Sequence, residues 1–387
     1  MALKDNASLA LIPAAYKTSK VYSAIPTNGD GDFTFSRSGI GATRINKAGL
    51  VETMGANVPR LNYDLTNGTP ASCPSLLLEP SRTNNILQSN DPAGANWTDP
   101  LSRWTLLTDT TTAPDGGTVR IIELTESGGS LIRLTGFSIA AATYTVSFYI
   151  KDIDGNLTGG NVDVGDEGSG APSPAFGDVG NDWVRATRTI TTTATKTHMD
   201  LQPTFSGSTN KVAIWGVQLE AGSYATSLIP TSGSAVTRSA DICNNAGTSA
   251  EFNDSEGVLF VEFAALANDL THRRIAISDG TTSNLVYISF DTASNRILAN
   301  ANGKTMVYTV TDETDFQKAA VYYNATAPKL YVNGVLRETE TAMTAITGLS
   351  ELAFDNGAGG NNFYGKAKQV MVFNEALTDS ELEELTS

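Results

Sequence analysis

The stretch "ATYTVSFYIK", Ala142 to Lys151, decides the fold class of this chain. Every second residue in it is large and apolar: Tyr144, Val146, Phe148 and Ile150. Alternate residues of a β-strand point to opposite faces, so these four residues predict one buried face, with Tyr149 on the other. Similar segments recur along the chain, for example "KVAIWGVQLE", "GVLFVEFAAL" and "NLVYISFD". The sequence therefore predicts an all-β protein.

Composition and length agree with this prediction. The chain has 387 residues, of which 40% are hydrophobic and 17% are charged, and it contains 35 glycines. This composition favours short strands and turns over long helices, and the length fits two or three domains. One helix is predicted, in "LTDSELEELTS", where Thr378 and Glu381 have the spacing of a capping box.

The charge and the apolar segments restrict the partners of the chain. Acidic residues outnumber basic ones 41 to 26, a net charge of -15 that disfavours nucleic acid and anionic membranes. No run of about 20 apolar residues could insert into a membrane, and the opening residues lack the apolar core of a signal peptide. Cys73 and Cys243 lie in different segments, so we expect two buried free thiols. The sequence predicts a soluble chain without a signal peptide.

Turn signals and strand patterns divide the chain into three parts. Residues 1–90 hold short apolar segments between turn signals, and such short segments bury few apolar side chains among themselves. Residues 91–232 and 236–387 each hold a dense series of predicted strands, which favours two β-sandwiches. The connection "QLEAGSYATSLIPTSGSAVTRSAD", Gln218 to Asp241, becomes a polar strip after Pro230. We therefore predict an accessible joint between the two sandwiches.

Two of these parts resemble known domains. "QKAAVYYNATAPKLYVNGVLRE" and "NFYGKAKQVMVFNEALTDSELEEL" are similar to the concanavalin A-like, laminin-G-like sandwich, with Asn333 and Gly334 in a turn that favours positive φ. The segments "NWT", "TAPDGG", "YTVSFYIK" and "IWGVQLEAGSYATSLIPT" resemble, in that order, the carbohydrate-binding jelly rolls of phage proteins. The resemblances imply a jelly roll followed by a concanavalin A-like domain.

The N-terminal part has a resemblance of its own. "FTFSRSGIGATRINKAGLVETMGANVPRLNYD" and "CPSLLLEPSRTNNILQSN" are similar to a module of phage tail and head fibres and spikes, whose charged positions fall on Arg37, Arg60, Glu79 and Arg82. The resemblance implies a protein made in the host cytoplasm and carried on the virion surface. It also implies that residues 1–90 contact other virion proteins and that the chain assembles as a homotrimer. The expected fold is an irregular N-terminal fibre module followed by two β-sandwich (jelly-roll) domains.

Residues for catalysis are few. His198 and His272 lie near no G-x-S-x-G motif, and together with two distant cysteines they lack zinc-ligand spacing. Glycoside hydrolysis needs two carboxylates about 5–10 Å apart. Glu262 has no acidic residue two or four positions away, and the carboxylates of the C-terminal helix are read as solvated. We expect no catalytic residue, no metal centre and a non-enzymatic protein.

The sequence leaves undecided whether the protein binds calcium. "KDIDGN", "DVGDEG" and "FDNGAGGNN" supply carboxylates and carbonyls, but none of them matches a twelve-residue calcium loop. The Gly/Asp-rich connection from Asp152 to Asp182 is too long for a hairpin turn. We therefore predict a long loop there, at the rim of the first sandwich, as a binding surface.

Sugar recognition combines an aromatic platform with nearby hydrogen-bonding side chains. The candidates in this sequence are Trp183, Asp182, Tyr149, Trp104 and Trp97. Trp215 is expected in the core instead, on one face with Val217. The predicted function is non-enzymatic attachment of a virion to host-surface glycans. The alternatives are a virion-associated glycan depolymerase and a purely architectural capsid or tail decoration protein.

Overall fold

The computed structural model describes residues 3–66, 68–128 and 130–387. Within them the fold is nearly all-β, as the alternation in the sequence predicts. The strands of the N-terminal part are all short: β1 Leu9–Leu11, β2 Tyr16–Lys17, β3 Lys20–Val21, β4 Phe33–Ser36, β5 Ala42–Ile45, β6 Val51–Met54, β7 Arg60–Asn62, β8 Leu65–Thr66, β9 Thr69–Pro70, β10 Ser75–Leu78 and β11 Arg82–Asn84. A 3-10 helix, Leu3–Asn6, precedes them.

The central part forms the first β-sandwich. Its strands are β12 Trp97–Thr98, β13 Trp104–Thr112, β14 Thr118–Leu124, β15 Ile132–Ile139, β16 Thr143–Asp152, β17 Leu157–Val164, β18 Glu167–Gly170, β19 Val184–Thr191, β20 Lys196–Phe205 and β21 Asn210–Ala221. The sheet β13-β14-β21-β16-β19 packs on the sheet β12-β15-β20-β17-β18. Val146, Phe148 and Ile150 are fully buried between the sheets, which confirms the face predicted from alternation.

The predicted long loop from Asp152 to Asp182 is wrong. This segment supplies β17, β18 and a 3-10 helix, Phe176–Asp178. Val162, Val164 and Phe176 are fully buried in the sandwich core. β17 contains glycine and aspartate, which are uncommon in strands, so its alternation was not recognised from the sequence.

A β-bulge in β21 changes the predicted orientation of Trp215. The register between β16 and β21 shifts between Ser147 and Tyr149, and Gly216 has a φ of 66°. The extra residue of a bulge reverses which face the following side chains use. Trp215 is buried, as predicted, but it packs beside Tyr149 on the outer face of the sheet, whereas Val217 lies in the sandwich core. The predicted common face of Trp215 and Val217 is therefore wrong.

The C-terminal part forms the second β-sandwich. Its elements are β22 Val236–Arg238, β23 Ile242–Asn244, β24 Glu256–Ala265, β25 Arg273–Ser278, β26 Leu285–Phe290, β27 Arg296–Ala301, β28 Lys304–Thr309, β29 Gln317–Asn324, β30 Lys329–Val332, β31 Val335–Thr339, β32 Glu351–Ala353, β33 Gly365–Phe373 and α1 Asp379–Thr386. The sheet β31-β30-β29-β24-β33 packs on the sheet β28-β27-β26-β25-β32. The capping box of Thr378 and Glu381 is confirmed, as is the positive φ of Asn333 and Gly334.

The N-terminal strands complete this second sandwich. β1 and β10 pair with successive segments of β33, β7 pairs with β10, and β4 pairs with β23. Leu11, Phe33 and Leu76 are fully buried in the same core as the C-terminal strands. Short strands satisfy their backbone hydrogen bonds by joining an existing sheet. The sequence did not show which of the two sandwiches these strands would join. The boundaries 1–90, 91–232 and 236–387 stay a prediction of independent folding units.

Charged residues of the N-terminal part lie in a buried ion network of Arg37, Arg60, Glu79, Arg238 and Asp241. Each of these side chains is at most 2% exposed. Arg37 Nη1 lies 2.9 Å from Asp241 Oδ1, Arg238 Nη1 lies 2.7 Å from Glu79 Oε2, and Arg60 contacts both carboxylates. Because Arg238 and Asp241 follow the first sandwich, this network fixes the connection between the two sandwiches to the N-terminal part.

The predicted accessible joint is therefore packed for most of its length. Leu228 and Ile229 are buried, and β22 pairs with β11. Arg82, at one end of β11, lies over the ring of Tyr224 with its guanidinium carbon 5.3 Å from the ring centroid. The longest exposed run in the connection spans residues 232–235. Polar composition alone did not reveal these contacts.

The cysteines and the helices bear on two further predictions. Both cysteines are free, as predicted, but Cys73 is exposed and only Cys243 is buried. Within the described residues, no helix has both the length and the apolar character needed to span a membrane.

Candidate functional site

Two of the predicted sugar-binding tryptophans belong to the core of the first sandwich. Trp97 is 6% exposed, and its Nε1 donates to the carbonyl oxygen of Gln88 at 2.8 Å. Trp104 is half-buried against the same core, and its Nε1 donates to the carbonyl oxygen of Leu131 at 3.0 Å. Both rings therefore have structural contacts, and a role for them in sugar binding stays a prediction.

The remaining candidates lie on the opposite side of the sheet that contains β16. Trp183 is half-buried in an outer apolar cluster with Tyr149, and its Nε1 donates to the carbonyl oxygen of Thr112 at 2.8 Å. Asp182 is exposed beside it. The structure thus brings Trp183 and Tyr149 into one cluster and places Trp97 and Trp104 in another.

Tyr149 also lines a cleft where all three parts of the chain meet, which we call the junction cleft. Its volume is about 400 Å³. The guanidinium carbon of Arg185 lies 5.6 Å from the centroid of the Tyr149 ring. The other cations at this cleft have carboxylate partners: Arg44 pairs with Glu52 at 2.8 Å, and Lys366 pairs with Asp64 at 2.7 Å. These ion pairs engage three charged residues of the lining, Arg44, Asp64 and Lys366.

A second cleft lies on the outer face of the sheet β28-β27-β26-β25-β32, and we call it the sheet-face cleft. Its volume is about 410 Å³, and it is lined by Arg274, Thr282, Ser283, Leu285, Tyr287, Asn300, Asn302, Gly303 and Thr344. Strand alternation explains its composition: Val286 and Ile288 point into the sandwich core, and Tyr287 between them points outward. The cleft therefore uses the outward positions of adjacent strands.

Tyr287 and Arg274 form the floor of the sheet-face cleft. The guanidinium carbon of Arg274 lies 4.3 Å from the centroid of the Tyr287 ring, which is a close cation–π contact. Leu285 and Leu298 pack beside the ring and extend the apolar floor. Burial raises the pKa of Tyr287, so its phenol remains protonated at neutral pH. The floor thus combines an apolar surface with a fixed positive charge.

Amide side chains shape the rim. Asn300 lies directly across from Tyr287 on the neighbouring strand, and it donates from Nδ2 to Thr305 Oγ1 at 3.0 Å. Asn302 donates to the carbonyl oxygens of Thr344 and Ala345 at 3.2 and 3.0 Å. These bonds hold the segment around Thr344 against the β27–β28 turn. The rim is therefore preorganised in the absence of a ligand.

The lining decides what chemistry the sheet-face cleft supports. Its polar groups are a guanidinium, hydroxyls and amides, all of which form hydrogen bonds with sugar hydroxyls. Within the described part of the chain, no carboxylate lines it. Glu262 lies in the other sheet, where its Oε1 is 3.6 Å from Lys368 Nζ. Among the described residues, this lining holds no carboxylate pair of the kind that a glycosidase uses.

Sequence reasoning missed Tyr287, Arg274 and Asn300. One signal was present: Tyr287 is the large aromatic residue at the outward position of "NLVYISFD", a segment already predicted to be a strand. The pairing of Tyr287 with Asn300 depends on the cross-strand register, which one sequence does not specify.

Two of the three predicted calcium loops use their carboxylates or amides to hold turns. Asp152 accepts from the backbone N–H of Gly155 at 3.0 Å and of Leu157 at 2.8 Å. Asp355 accepts from the N–H of Gly357 at 2.6 Å, and the neighbouring Asn356 caps the same loop. Such bonds are typical of Asx turns. Calcium binding at these loops stays a prediction.

Solved structures that resemble part of this chain have low similarity scores. The CBM40 domain of Ruminococcus gnavus IT-sialidase is 16% identical, with a TM-score of 0.30, over 35% of this chain and 84% of that one. Domain 4 of AbnA, an extracellular arabinanase of Geobacillus stearothermophilus, in complex with arabinotriose, is 13% identical, with a TM-score of 0.31, over 38% and 73%. These likenesses are too weak to carry an argument about function. No curated protein matches the chain.

A family model gives a more definite result for the C-terminal part. The model described as "Concanavalin A-like lectin/glucanases superfamily" matches residues 262–383. The match includes every lining residue of the sheet-face cleft, from Arg274 to Thr344. It agrees with the resemblance found in the sequence and with the two packed sheets. Residues 262–383 form a concanavalin A-like domain.

Proposed function

We propose that this protein is a non-enzymatic glycan-binding component of a bacteriophage fibre or spike, and that it binds host-surface glycans in the sheet-face cleft. One observation carries the proposal: the guanidinium of Arg274 rests on the ring of Tyr287, which is 8% exposed, and lies among hydroxyl and amide side chains on the outer face of the concanavalin A-like domain. The guanidinium and the surrounding polar groups suit sugar hydroxyls, and Leu285 in the lining offers an apolar contact to a sugar ring.

The size and composition of the cleft support saccharide binding. Its volume of about 410 Å³ is within the usual range of ligand sites, about 300–1,000 Å³. Side-chain hydrogen bonds already hold the rim, so binding would order few groups. Lack of a described carboxylate in the lining favours binding over hydrolysis. The depolymerase alternative would need catalytic groups from elsewhere in the chain.

The virion role rests on the resemblance of residues 1–90 to phage fibre modules. We propose assembly as a homotrimer and contact with other virion proteins through this part. A sedimentation measurement on the full chain tests the oligomer, because three copies are expected and a monomer at micromolar concentration would remove this part of the proposal. Glycan binding is independent of that result.

A glycan array with the full chain tests the binding function. We expect retention of at least one saccharide class that occurs on bacterial surfaces, and we expect Arg274→Ala to reduce that signal. Arg337→Ala is a matched control, since the guanidinium carbon of Arg337 lies 3.9 Å from the centroid of the Tyr308 ring in the same domain, outside the cleft. An array without hits favours the architectural alternative. Reducing ends released from the retained glycan over time favour the depolymerase.

A further inference from the structure

The outer face of the sheet β12-β15-β20-β17-β18 carries a row of charged side chains. Asp200 on β20 lies directly across from Arg133 on β15 and from Asp163 on β17. His198 precedes Asp200 by two residues and so points to the same face. Asp166 follows β17 in the turn to β18 and has a φ of 64°. The fold thus collects three carboxylates and one imidazole from two strands and a turn.

Three of these side chains converge on one point. Asp166, His198 and Asp200 each offer a ligand atom, and the three atoms lie within 4.8 Å of one another. His198 Nε2 is 3.6 Å from Asp166 Oδ1, which is beyond hydrogen-bonding distance. The 3.6 Å separation of His198 Nε2 and Asp166 Oδ1 suits two ligands of one metal ion at about 2.0–2.2 Å each, and small side-chain movements would bring the third atom to the same ion.

The charges in this cluster do not balance. Arg133 is its cation, and both oxygens of Asp200 already accept from it, at 2.8 Å from Nε and 2.7 Å from Nη2. Asp166 Oδ1 also lies 3.9 Å from Arg133 Nη2, so three carboxylates share this one cation when His198 is neutral. The neighbouring lysine, Lys196, pairs with Glu167 at 2.8 Å, so it is already engaged. A divalent cation would compensate the two excess negative charges.

Two buried atoms in the cluster also lack hydrogen bonds. Asp163 is 4% exposed, and its Oδ1 has no hydrogen-bond partner within the described residues, although its other oxygen accepts from Gln202. His198 Nε2 is likewise buried without a partner in the described chain. Buried polar atoms are nearly always paired in folded proteins.

We propose that Asp166, His198 and Asp200 bind one divalent first-row transition-metal ion, such as Zn²⁺ or Mn²⁺, with Asp163 as a nearby carboxylate. The imidazole argues against Ca²⁺, which takes oxygen ligands, and it suits Zn²⁺, while the two carboxylates also suit Mn²⁺. The ion would join the β17–β18 turn to β20 and hold the outer face of the first sandwich. This metal site lies in the first sandwich, whereas the sheet-face cleft lies in the second.

Isothermal titration of the full chain tests this site after dialysis against a chelator. Zn²⁺ and Mn²⁺ are titrated separately, with Ca²⁺ as the comparison ion. We expect one Zn²⁺ or Mn²⁺ per chain and an increase in the unfolding temperature with the bound metal. His198→Gln and Asp166→Asn should each weaken binding by about 100-fold or more, since changes of supporting residues alone cost 10–100-fold.

His272→Gln is the matched control, because His272 is the other histidine of the chain and lies in the C-terminal part. It should leave the titration unchanged. Asp166 is exposed in a turn, so Asp166→Asn keeps the test valid if His198→Gln fails to fold. The proposal is overturned if neither Zn²⁺ nor Mn²⁺ binds, if Ca²⁺ binds in their place, or if binding survives both substitutions.

Discussion

The two sandwiches have the same plan, and their outward sheet faces carry different chemistry. The first presents Asp163, His198 and Asp200 on the sheet that contains β20. The second presents Tyr287 and Arg274 on the sheet that contains β26, without a carboxylate among the described lining residues. The first face holds the proposed metal site, and the second holds the proposed glycan site.

This difference shows where the information on function lies. The inward positions of both sandwiches are filled by the same kinds of apolar side chains, such as Val162 in the first and Val286 in the second. Only the outward positions differ, and cross-strand register decides which of them become neighbours. Architecture alone therefore does not assign a ligand to either sandwich.

The largest expected effect comes from the buried ion network that holds both sandwiches to the N-terminal part. Glu79→Gln should lower the free energy of unfolding by about 3–5 kcal/mol, because it leaves the buried Arg238 without a carboxylate partner and Arg60 with Asp241 alone. Urea denaturation measures the change. Glu126→Gln is a control, since Glu126 pairs with Arg103 at 2.8 Å on the surface and should cost about 0–1 kcal/mol. Equal losses for the two variants would show that the network is not what fixes the connection.

Tyr287→Ala tests whether the glycan binds at the sheet-face cleft. We expect glycan affinity to fall by about 1–3 kcal/mol, as for a residue at the centre of a binding site, because the Arg274 guanidinium rests on this ring. Tyr287→Phe keeps the ring and should retain most of the affinity. Titration calorimetry with the best saccharide from the array measures both variants. Tyr149→Ala tests the junction cleft in the same way. If Tyr149→Ala abolishes binding and Tyr287→Ala does not, the glycan binds in the junction cleft.

Trp183→Ala tests the strongest candidate from the sequence. Its ring is half-buried and hydrogen-bonded to the carbonyl oxygen of Thr112, so we expect the free energy of unfolding to fall by about 1–2 kcal/mol, less than for a fully buried tryptophan. Glycan affinity should stay unchanged. Thermal unfolding and calorimetry on the same sample decide between the two roles. A loss of affinity without a loss of stability would restore Trp183 as a sugar platform.

A pH dependence of stability is expected from Glu313 in the second sandwich. Burial raises the pKa of Glu313 from 4.5 to about 7. The folded state therefore binds this proton more tightly than the unfolded state, so the contribution of Glu313 to stability is present below about pH 4.5 and is lost as the pH rises to 7. Glu313→Gln should match the wild type near pH 4.5 and be more stable above pH 7.

Unfolding temperatures measured from pH 4.5 to 8 check this trend. Glycan binding should not follow it, because none of the described residues lining the sheet-face cleft is a carboxylate or a histidine. If the stability gain of Glu313→Gln is the same at both ends of the range, the pKa of Glu313 is not raised.

Local patterns predicted much of the fold and little of the site. Alternation identified β16, and residue spacing identified the helix cap at Thr378, because both depend on near neighbours in the chain. The pairing of β1 and β10 with β33 depends on contacts more than 280 positions apart, for example Leu76 with Ala367. Such register was not available from one sequence. The aromatic candidates were chosen by residue type, which does not distinguish a ring that is anchored in a core from one that lies in a cleft.

The most direct test of the central claim is a crystal structure of the full chain with the best-binding saccharide. We expect a sugar ring against Arg274, with its hydroxyls near Asn300 and Thr344, and an intact glycosidic bond. A saccharide bound beside Tyr149 in the junction cleft, or on the outer face of the first sandwich, would show that the proposed glycan site is wrong. A cleaved product in the sheet-face cleft would contradict the proposed non-enzymatic function.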